Sequence, residues 1–411
     1  MRMQPFQQSL IYCAVMSSLL VTTNSYASFD VSNPNYRGVA DTLNYIATDV
    51  PGIAPTLAPL ITALAVTPLE DALSTLVPAA DTSLAIGSQM PIAKGLSAVS
   101  TRLSNNRLGL HYPDPYISYV AGDKAYDMAS WAQIFGGDIN QSDRQNIEGF
   151  DAHFGGIALG HEWNIMNDFL TLGLGASFNS TKVDSRGIGR NRLEINSSQG
   201  FIYGSYNFDS PFYLDAMASL AYHDYDSTRN IVVPLAGPAS LLTRAEGDFH
   251  GWQFTVRPEI GYQWQQNNFF AIPHAFLQYS HLNVSDYTET GAGGMNLFVQ
   301  YDNLEELKLA GGLKVGLFHE VGDCLFVPQI HGAITHDFIT DPQSSTASFI
   351  GGGTNFVTPG FEPDDTSFLI GANLEWWFKN KQNYLNLQYD FEFKEDFNMH
   401  SGFLKFKFGW A

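Results

Sequence analysis

The chain is short of charge, of cysteine and of long apolar runs, and each shortage removes a class of protein. Only 15% of its 411 residues are charged, against about 25% in ordinary soluble domains. It has no run of about 18 apolar residues, which excludes a bundle of membrane helices. Lys and Arg number 21 against 41 Asp and Glu, a formal charge of −20. Nucleic acid needs clustered cations, so it is excluded as a partner. Two cysteines, Cys13 and Cys324, rule out a disulfide scaffold and a cysteine-based zinc site. The 11 histidines are scattered, and even His331 and His336 form neither an HExxH helix nor a two-His-one-carboxylate set. No Gly-x-Ser-x-Gly elbow precedes a helix. A catalytic residue, a metal and a cofactor are therefore not expected. His223 with Asp224, or His336 with Asp337, would be the pairs to watch for a surface protease.

What is present begins with an export signal. Arg2 precedes the apolar stretch Leu10–Val21, and Ser25-Tyr26-Ala27 offers small residues for a cut after Ala27. Cys13 leaves with residues 1–27, so the exported chain keeps Cys324 and has nothing to mispair in an oxidising compartment.

The remainder has two grammars. Residues 28–127 hold nine of the 19 prolines but six of the 37 glycines. Their apolar residues fall at helical spacing in short pieces. Thr67-Pro68-Leu69-Glu70 reads as a capping box opening a helix to about Val77. A second helix is expected over Ala40–Val50 and a third over Pro91–Leu108. From Met128 onward the period becomes two. Residues 128–411 carry 46 of the 56 aromatics and 31 of the 37 glycines. Leu385, Leu387, Tyr389, Phe391 and Phe393 alternate with Asn386, Gln388, Asp390, Glu392 and Lys394. Trp252, Phe254 and Val256 alternate with Gln253, Thr255 and Arg257.

A soluble sandwich also alternates, with its apolar side inward. Three features favour the inverted arrangement of an outer-membrane barrel. The strands run about 10–14 residues, enough to cross a bilayer at a tilt. Aromatics such as Trp163, Phe212, Trp264, Trp376 and Phe378 crowd the strand ends, as in an interfacial girdle. Short turns, as at Asp209–Pro211 and Gln265–Asn268, alternate with longer loops expected near Asp184–Arg192, Asp226–Gly247, Tyr287–Asn303 and Thr340–Asp364. Lipid offers the backbone no hydrogen bonds, so the sheet must close. Twelve strands are expected, starting near 128, 150, 169, 193, 212, 248, 269, 304, 324, 364, 383 and 398. The fold class is all-β: a twelve-stranded antiparallel transmembrane barrel behind a short helical segment.

Residues from about 38 to 411 resemble the translocator unit of the autotransporters, the type V secretion family. Trp131–Gly137 resembles the family's first barrel strand, and Gly155–Gly160 and Phe169–Gly175 resemble the next two. Pro273 and Pro328 match prolines of its later strands, and Leu69–Leu76 and Leu96–Arg107 its pre-barrel helices. The resemblance implies that the last helix, with Arg102, Asn105, Asn106 and Arg107, plugs the lumen. It implies an outer-membrane location in a Gram-negative bacterium and insertion by the outer-membrane assembly machinery. That machinery would read Gly402, Phe406, Phe408 and Trp410. The chain departs from the family in ending on Ala411, and in having only about ten residues between Ala27 and the family-like part. A domain cannot form from so few. A degenerate passenger, a helical region that is itself the cargo, and a plug without cargo all remain open. A plain surface barrel, acting as an adhesin or porin-like channel, is the alternative function.

The expected lumenal lining is Arg257, Glu259, Lys308, Lys314, Glu375, Asp390, Glu392, Lys405 and Lys407. Charge is tolerable in a wet lumen, while Lys at the lipid midplane costs about 2–4 kcal/mol. Arg102 and Arg107 are candidates to pair with lumenal carboxylates. Asn105-Asn106 could in principle cyclise and cut the chain, as in some autotransporters, although its position after Arg102-Leu103-Ser104 differs from theirs. Acidic groups in or beside the loops, including Glu362, Asp364 and Asp365, could bridge through divalent cations to lipopolysaccharide, or could simply be solvated. A monomer among outer-membrane lipid is expected.

Overall fold

The computed structural model describes residues 28–48, 56–65, 69–78, 81–110, 128–165, 169–234, 240–322, 324–378 and 383–410. The export signal expected over residues 1–27, with its cut after Ala27, lies outside them. Twelve long strands form the wall: β1 (Met128–Gln141), β2 (Phe150–Ile165), β3 (Leu170–Ser185), β4 (Arg192–Asn207), β5 (Phe212–Pro234), β6 (Ser240–Tyr262), β7 (Phe269–Val284), β8 (Leu304–Leu317), β9 (Cys324–Asp337), β10 (Thr366–Trp377), β11 (Tyr384–Lys394) and β12 (Phe397–Trp410). Each pairs antiparallel with the next, and β12 returns to β1 from Met128↔Trp410 to Gln141↔Phe397. The cylinder is closed, as a lipid environment requires of its backbone.

Outward side chains form an apolar band. Trp252, Leu387 and Phe406 are 49%, 48% and 37% exposed on the outer face, not packed inside. On β3–β6 the alternation exchanges sides part-way along. Below the exchange, Leu174, Phe178, Ile202, Leu220 and Phe254 face outward, while Ser177, Gln199, Ser219 and Thr255 face inward. Above it, Val183, Leu193, Ile195, Ile231 and Val233 are buried inside, while Lys182, Arg192, Asp224, Asp226 and Asp248 stand outside. The polarity switch marks where hydrocarbon ends and water begins, because a buried face must be apolar wherever the other face is wet.

This switch corrects one expectation. The loop expected over Asp226–Gly247 is largely a ladder: β5 and β6 stay paired up to Pro234↔Ser240. Period two persists there, but with apolar residues on the opposite face, so a search for one continuous outward stripe ends too early. The loop between β7 and β8 and that between β9 and β10 also contain structure. Tyr287–Thr288, Leu297–Tyr301, Ser345–Phe349 and Phe356–Thr358 form a separate four-stranded sheet over the long-loop end.

Among the described residues four helices precede the wall: α1 (Pro34–Thr48), α2 (Ala58–Leu64), α3 (Leu69–Ser74) and α4 (Asp81–Leu110). The proposed helix start at Pro91 is incorrect, since Pro91 lies inside α4, which begins ten residues earlier. An interior proline removes one backbone hydrogen bond and is normally disfavoured. Here the barrel wall surrounds the segment, and packing outweighs propensity. Thr67 and Pro68 lie outside the described residues, but Glu70 does not serve its own helix. Its Oε1 accepts from Ser32 Oγ (2.7 Å) and from the amides of Ser32 and Asn33 (3.2 Å each), just before α1.

The helices α1–α3 sit at the long-loop end. Leu43, Leu57, Leu60, Leu73 and Leu76 are at most 1% exposed, in one cluster with Ile231, Val233, Leu297, Val299 and Phe349. Each such burial is worth about 1.5–3 kcal/mol relative to exposure. Among the described residues no helix is long and apolar enough to cross a membrane; the crossing is made by strands.

Candidate functional site: the occupied lumen

The lumen is shaped by glycines that face aromatics on the neighbouring strand. Gly160 pairs with Trp131, Gly173 with Tyr203, Gly175 with Phe201 and Gly261 with Tyr213. A methyl at any of these glycines would come within 2.1–2.4 Å of the opposing ring. The rings therefore lie flat along the wall and leave room for α4.

Ion pairs then fix the helix at several heights. Nearest the short turns, Arg107 Nη1 donates to Asp215 Oδ1 (2.8 Å) and to Ser205 Oγ (2.9 Å), with its guanidinium 3.5 Å from the centre of the Tyr213 ring. Higher up, Arg102 pairs with Glu162. That carboxylate also accepts from Tyr203 (3.4 Å), whose hydroxyl accepts from Trp131 Nε1 (2.8 Å). Ser100 Oγ donates to Glu259 Oε2 (3.0 Å), and Lys405 Nζ donates to the carbonyl oxygen of Ala98 (2.8 Å). Lys94 meets Glu392 at 3.4 Å. Near the long loops the charged contacts give way to a neutral one, Ser88 Oγ against Tyr225 Oη (2.9 Å), and Gly87 packs on Val183 and Ile195. The N-terminal end of α4 thus faces the long loops and its C-terminal end the short turns.

The nine expected lining residues all sit on the inward register. Arg257 lies 3.5 Å from Glu259 and 3.6 Å from the Phe276 ring centre. Glu375 accepts from Gln329, Asn373 and Trp377 at 2.8–3.1 Å, and Asp390 from His331 at 2.9 Å. Lys308 pairs with Glu306, Lys314 lines a cavity with His274, and Lys407 stands 5.8 Å above the Trp377 ring. That cavity, about 90 Å³ beside Ser97, Ser100 and Ser104, separates α4 from the β6–β11 side of the wall. The backbone of Asn105 and Asn106 is helical; their side chains lie outside the described residues. Gly402 and Phe406 face outward, with Phe406 37% exposed, while the side chains of Phe408 and Trp410 also lie outside the described residues.

Sequence reasoning missed Glu162 and Asp215, the two carboxylates that hold the helix arginines. Each stands apart from the other acids of its strand, Glu162 from Asp151 in β2 and Asp215 from Asp224 and Asp226 in β5, and that isolation was the available signal. His223 is buried in the lumen against Ser197 and Gln253, while Asp224 points outward. His336 Nδ1 lies 3.3 Å from Thr366 Oγ1 and 3.9 Å from Asp365, on the neighbouring strand end, in place of Asp337. Among the described residues no group of three His, Cys, Asp or Glu could hold a metal.

The sequence profile of the autotransporter β-domain matches residues 130–390 of this closed twelve-stranded cylinder. The chain belongs to the autotransporter β-domain family. The translocator domain of the autotransporter NalP from Neisseria meningitidis is similar in fold, with a TM-score of 0.54 and 13% identity over 78% of this chain and all of that one. The β-domain of the Bordetella autotransporter BrkA aligns with a TM-score of 0.48 and 14% identity, over 69% of this chain and 100% of its own. The transport unit of AIDA-I from Escherichia coli gives 0.45 and 14%, over 75% and 97%. No curated protein matches the chain. This autotransporter barrel is thus an outer-membrane translocator domain, of a transporter family rather than an enzyme family.

Proposed function

We propose that the barrel passes its own N-terminal segment through the lumen and holds residues 28–78 at the cell surface. In this reading residues 1–27 are the export signal, 28–127 the exported segment with its plug and connection, and 128–411 the barrel. The observation that carries it is the course of the chain. The described residues of 28–78 pack on the long-loop end, α4 descends through the lumen, and β1 begins at the short-turn end. In an outer-membrane barrel the long loops are external, so such a course requires the N-terminal segment to have crossed.

The lumenal charges hold the plug, and no reaction is assigned to them. Arg257, Glu259, Lys308, Lys314, Glu375, Asp390, Glu392, Lys405 and Lys407 line the pore, and Arg102 and Arg107 anchor the helix. Gly402, Phe406, Phe408 and Trp410 on the closing strand serve as the assembly signal for the insertion machinery. The barrel works as a monomer among outer-membrane lipid and lipopolysaccharide.

Two measurements test this. An epitope placed after Ser28 should bind antibody on intact cells; labelling only after the outer membrane is opened would overturn the display of residues 28–78. In planar bilayers the full chain should conduct little, and a chain lacking residues 28–110 should conduct strongly, because a helix about 10 Å across has been removed. Equal conductance in the two forms would favour the plain porin-like barrel.

A further inference from the structure

We propose that residues 28–78 are a fixed head of the barrel and not a releasable passenger: they close the outer mouth by completing a core that the barrel strands provide only in half. The proposal rests on the display reading above and goes beyond it.

The first observation is the lining. A conduit for a passing or departing chain would be wet when emptied, and its wall would be polar. Within the membrane band the inner face of β3–β6 carries Ser177, Gln199, Ser219, Gln253 and Thr255. Above the switch it presents Val183, Leu193, Ile195, Ile231 and Val233, all at most 3% exposed. Such a surface is built to be covered. The apolar residues that cover it come from α1–α3 and from the start of α4.

The second observation is a buried latch. Arg229 and Glu289 are 0% and 3% exposed and pair twice, Nε to Oε1 at 2.9 Å and Nη2 to Oε2 at 2.5 Å. Two further donors of Arg229 reach the carbonyl oxygens of Thr75 (2.9 Å) and Met295 (2.8 Å), while Glu289 Oε2 also accepts from the Leu297 amide (2.8 Å). One guanidinium therefore ties together β5, the loop sheet and the end of α3. A buried pair is tolerated only when its hydrogen-bonding groups are met, and here the N-terminal segment supplies one of the partners. Departure of residues 28–78 would open both the pair and the apolar lining to water.

The third observation is that the seam is stitched at separate places. Val232 N donates to Thr75 Oγ1 (3.2 Å), Thr42 Oγ1 lies 3.0 Å from Thr354 Oγ1, and Asn35 Nδ2 donates to the Gln145 carbonyl (3.1 Å). Contacts to β5 and to the loops after β1 and β9 fix orientation as well as proximity.

The test uses the full chain in outer membranes, with an epitope after Ser28 and a site-specific protease sequence inserted between Pro78 and Asp81. After complete cleavage, the epitope should stay with the membranes through buffer and high-salt washes and be lost only in urea. The same chain carrying L57D, L60D and R229A should lose it in buffer. Loss of the epitope from the unsubstituted, cleaved chain in buffer would overturn the fixed head and identify residues 28–78 as releasable. Absence of surface labelling before cleavage would instead sink the display reading, so the two failures are distinguishable. Should the insertion disturb folding, T42C with T354C in the uncut chain gives a second measurement. A shift on non-reducing gels after mild oxidation is expected, and no shift would count against a docked head.

Discussion

Tyr203 lies flat on Gly173: the two residues pair across β3 and β4, and a methyl on the glycine would come 2.1 Å from Tyr203 Cζ. The ring cannot move freely, because its hydroxyl accepts from Trp131 and donates to Glu162, the partner of Arg102. One missing side chain in the wall thereby sets the position of a helix anchor in the lumen.

Gly173→Ala should therefore displace Tyr203 and loosen Arg102, lowering the temperature at which the folded band disappears on a heat-modifiability gel. Overpacking of this kind costs about 1–3 kcal/mol. Gly200 also lies on β4, and a methyl there meets nothing within 4 Å. Gly200→Ala should leave the midpoint unchanged. Equal midpoints for the two variants would show that the flat ring is not what the glycine protects.

Breaking the pair of Arg107 with Asp215 tests the helix anchor. Arg107→Leu or Asp215→Leu alone leaves a buried charge without its partner, which costs about 3–5 kcal/mol. Each single variant should raise pore conductance and lower the gel midpoint. The double variant should recover much of the loss, since neither charge then remains to be solvated. Additive losses in the double-mutant cycle would mean that the two side chains act independently.

Two carboxylates at the seam between head and barrel, Glu70 in the head and Glu148 in the loop after β1, predict opposite responses to pH. Burial, with Asp143 and Asp71 close by, holds the Glu148 carboxyl above its ordinary 4.5. The folded protein then keeps a proton that the unfolded chain has lost, so between 4.5 and the raised value stability falls as pH rises. Glu70 is held below 4.5 by the Ser32 hydroxyl and by the Asn33 and Ser32 amides. Its contribution is present above 4.5 and disappears as pH falls through the lowered value. Limited proteolysis of residues 28–78 across pH should lose its slope above 4.5 in Glu148→Gln and its slope below 4.5 in Glu70→Gln. Unchanged profiles in both variants would contradict this assignment.

Much of the barrel was legible because hydrocarbon imposes a simple rule on a strand. Leu385–Phe393 and Leu307–Leu317 alternate along their whole length, and their starts are located almost to the residue. The rule failed where its premise failed. Above the membrane β5 and β6 bury the other face, so 226–247 reads as a loop to anyone following the outward stripe. The lumenal charges were legible as inward residues, but their partners were not. Nothing local in Arg102 or Arg107 names Glu162 or Asp215, which lie 60 and 108 residues away.

The sequence by itself determined the class of structure. Period-two alternation, length per strand and scarce charge leave a closed outer-membrane cylinder, because strands in lipid can pair all their backbone hydrogen bonds only in a sheet without edges. Only the tertiary structure decided the path of α4, the start of that helix ten residues before Pro91, and the burial of residues 28–78 against the outer mouth. Those outcomes depend on contacts between segments far apart in the chain, where packing inside a confined space outweighs local propensity.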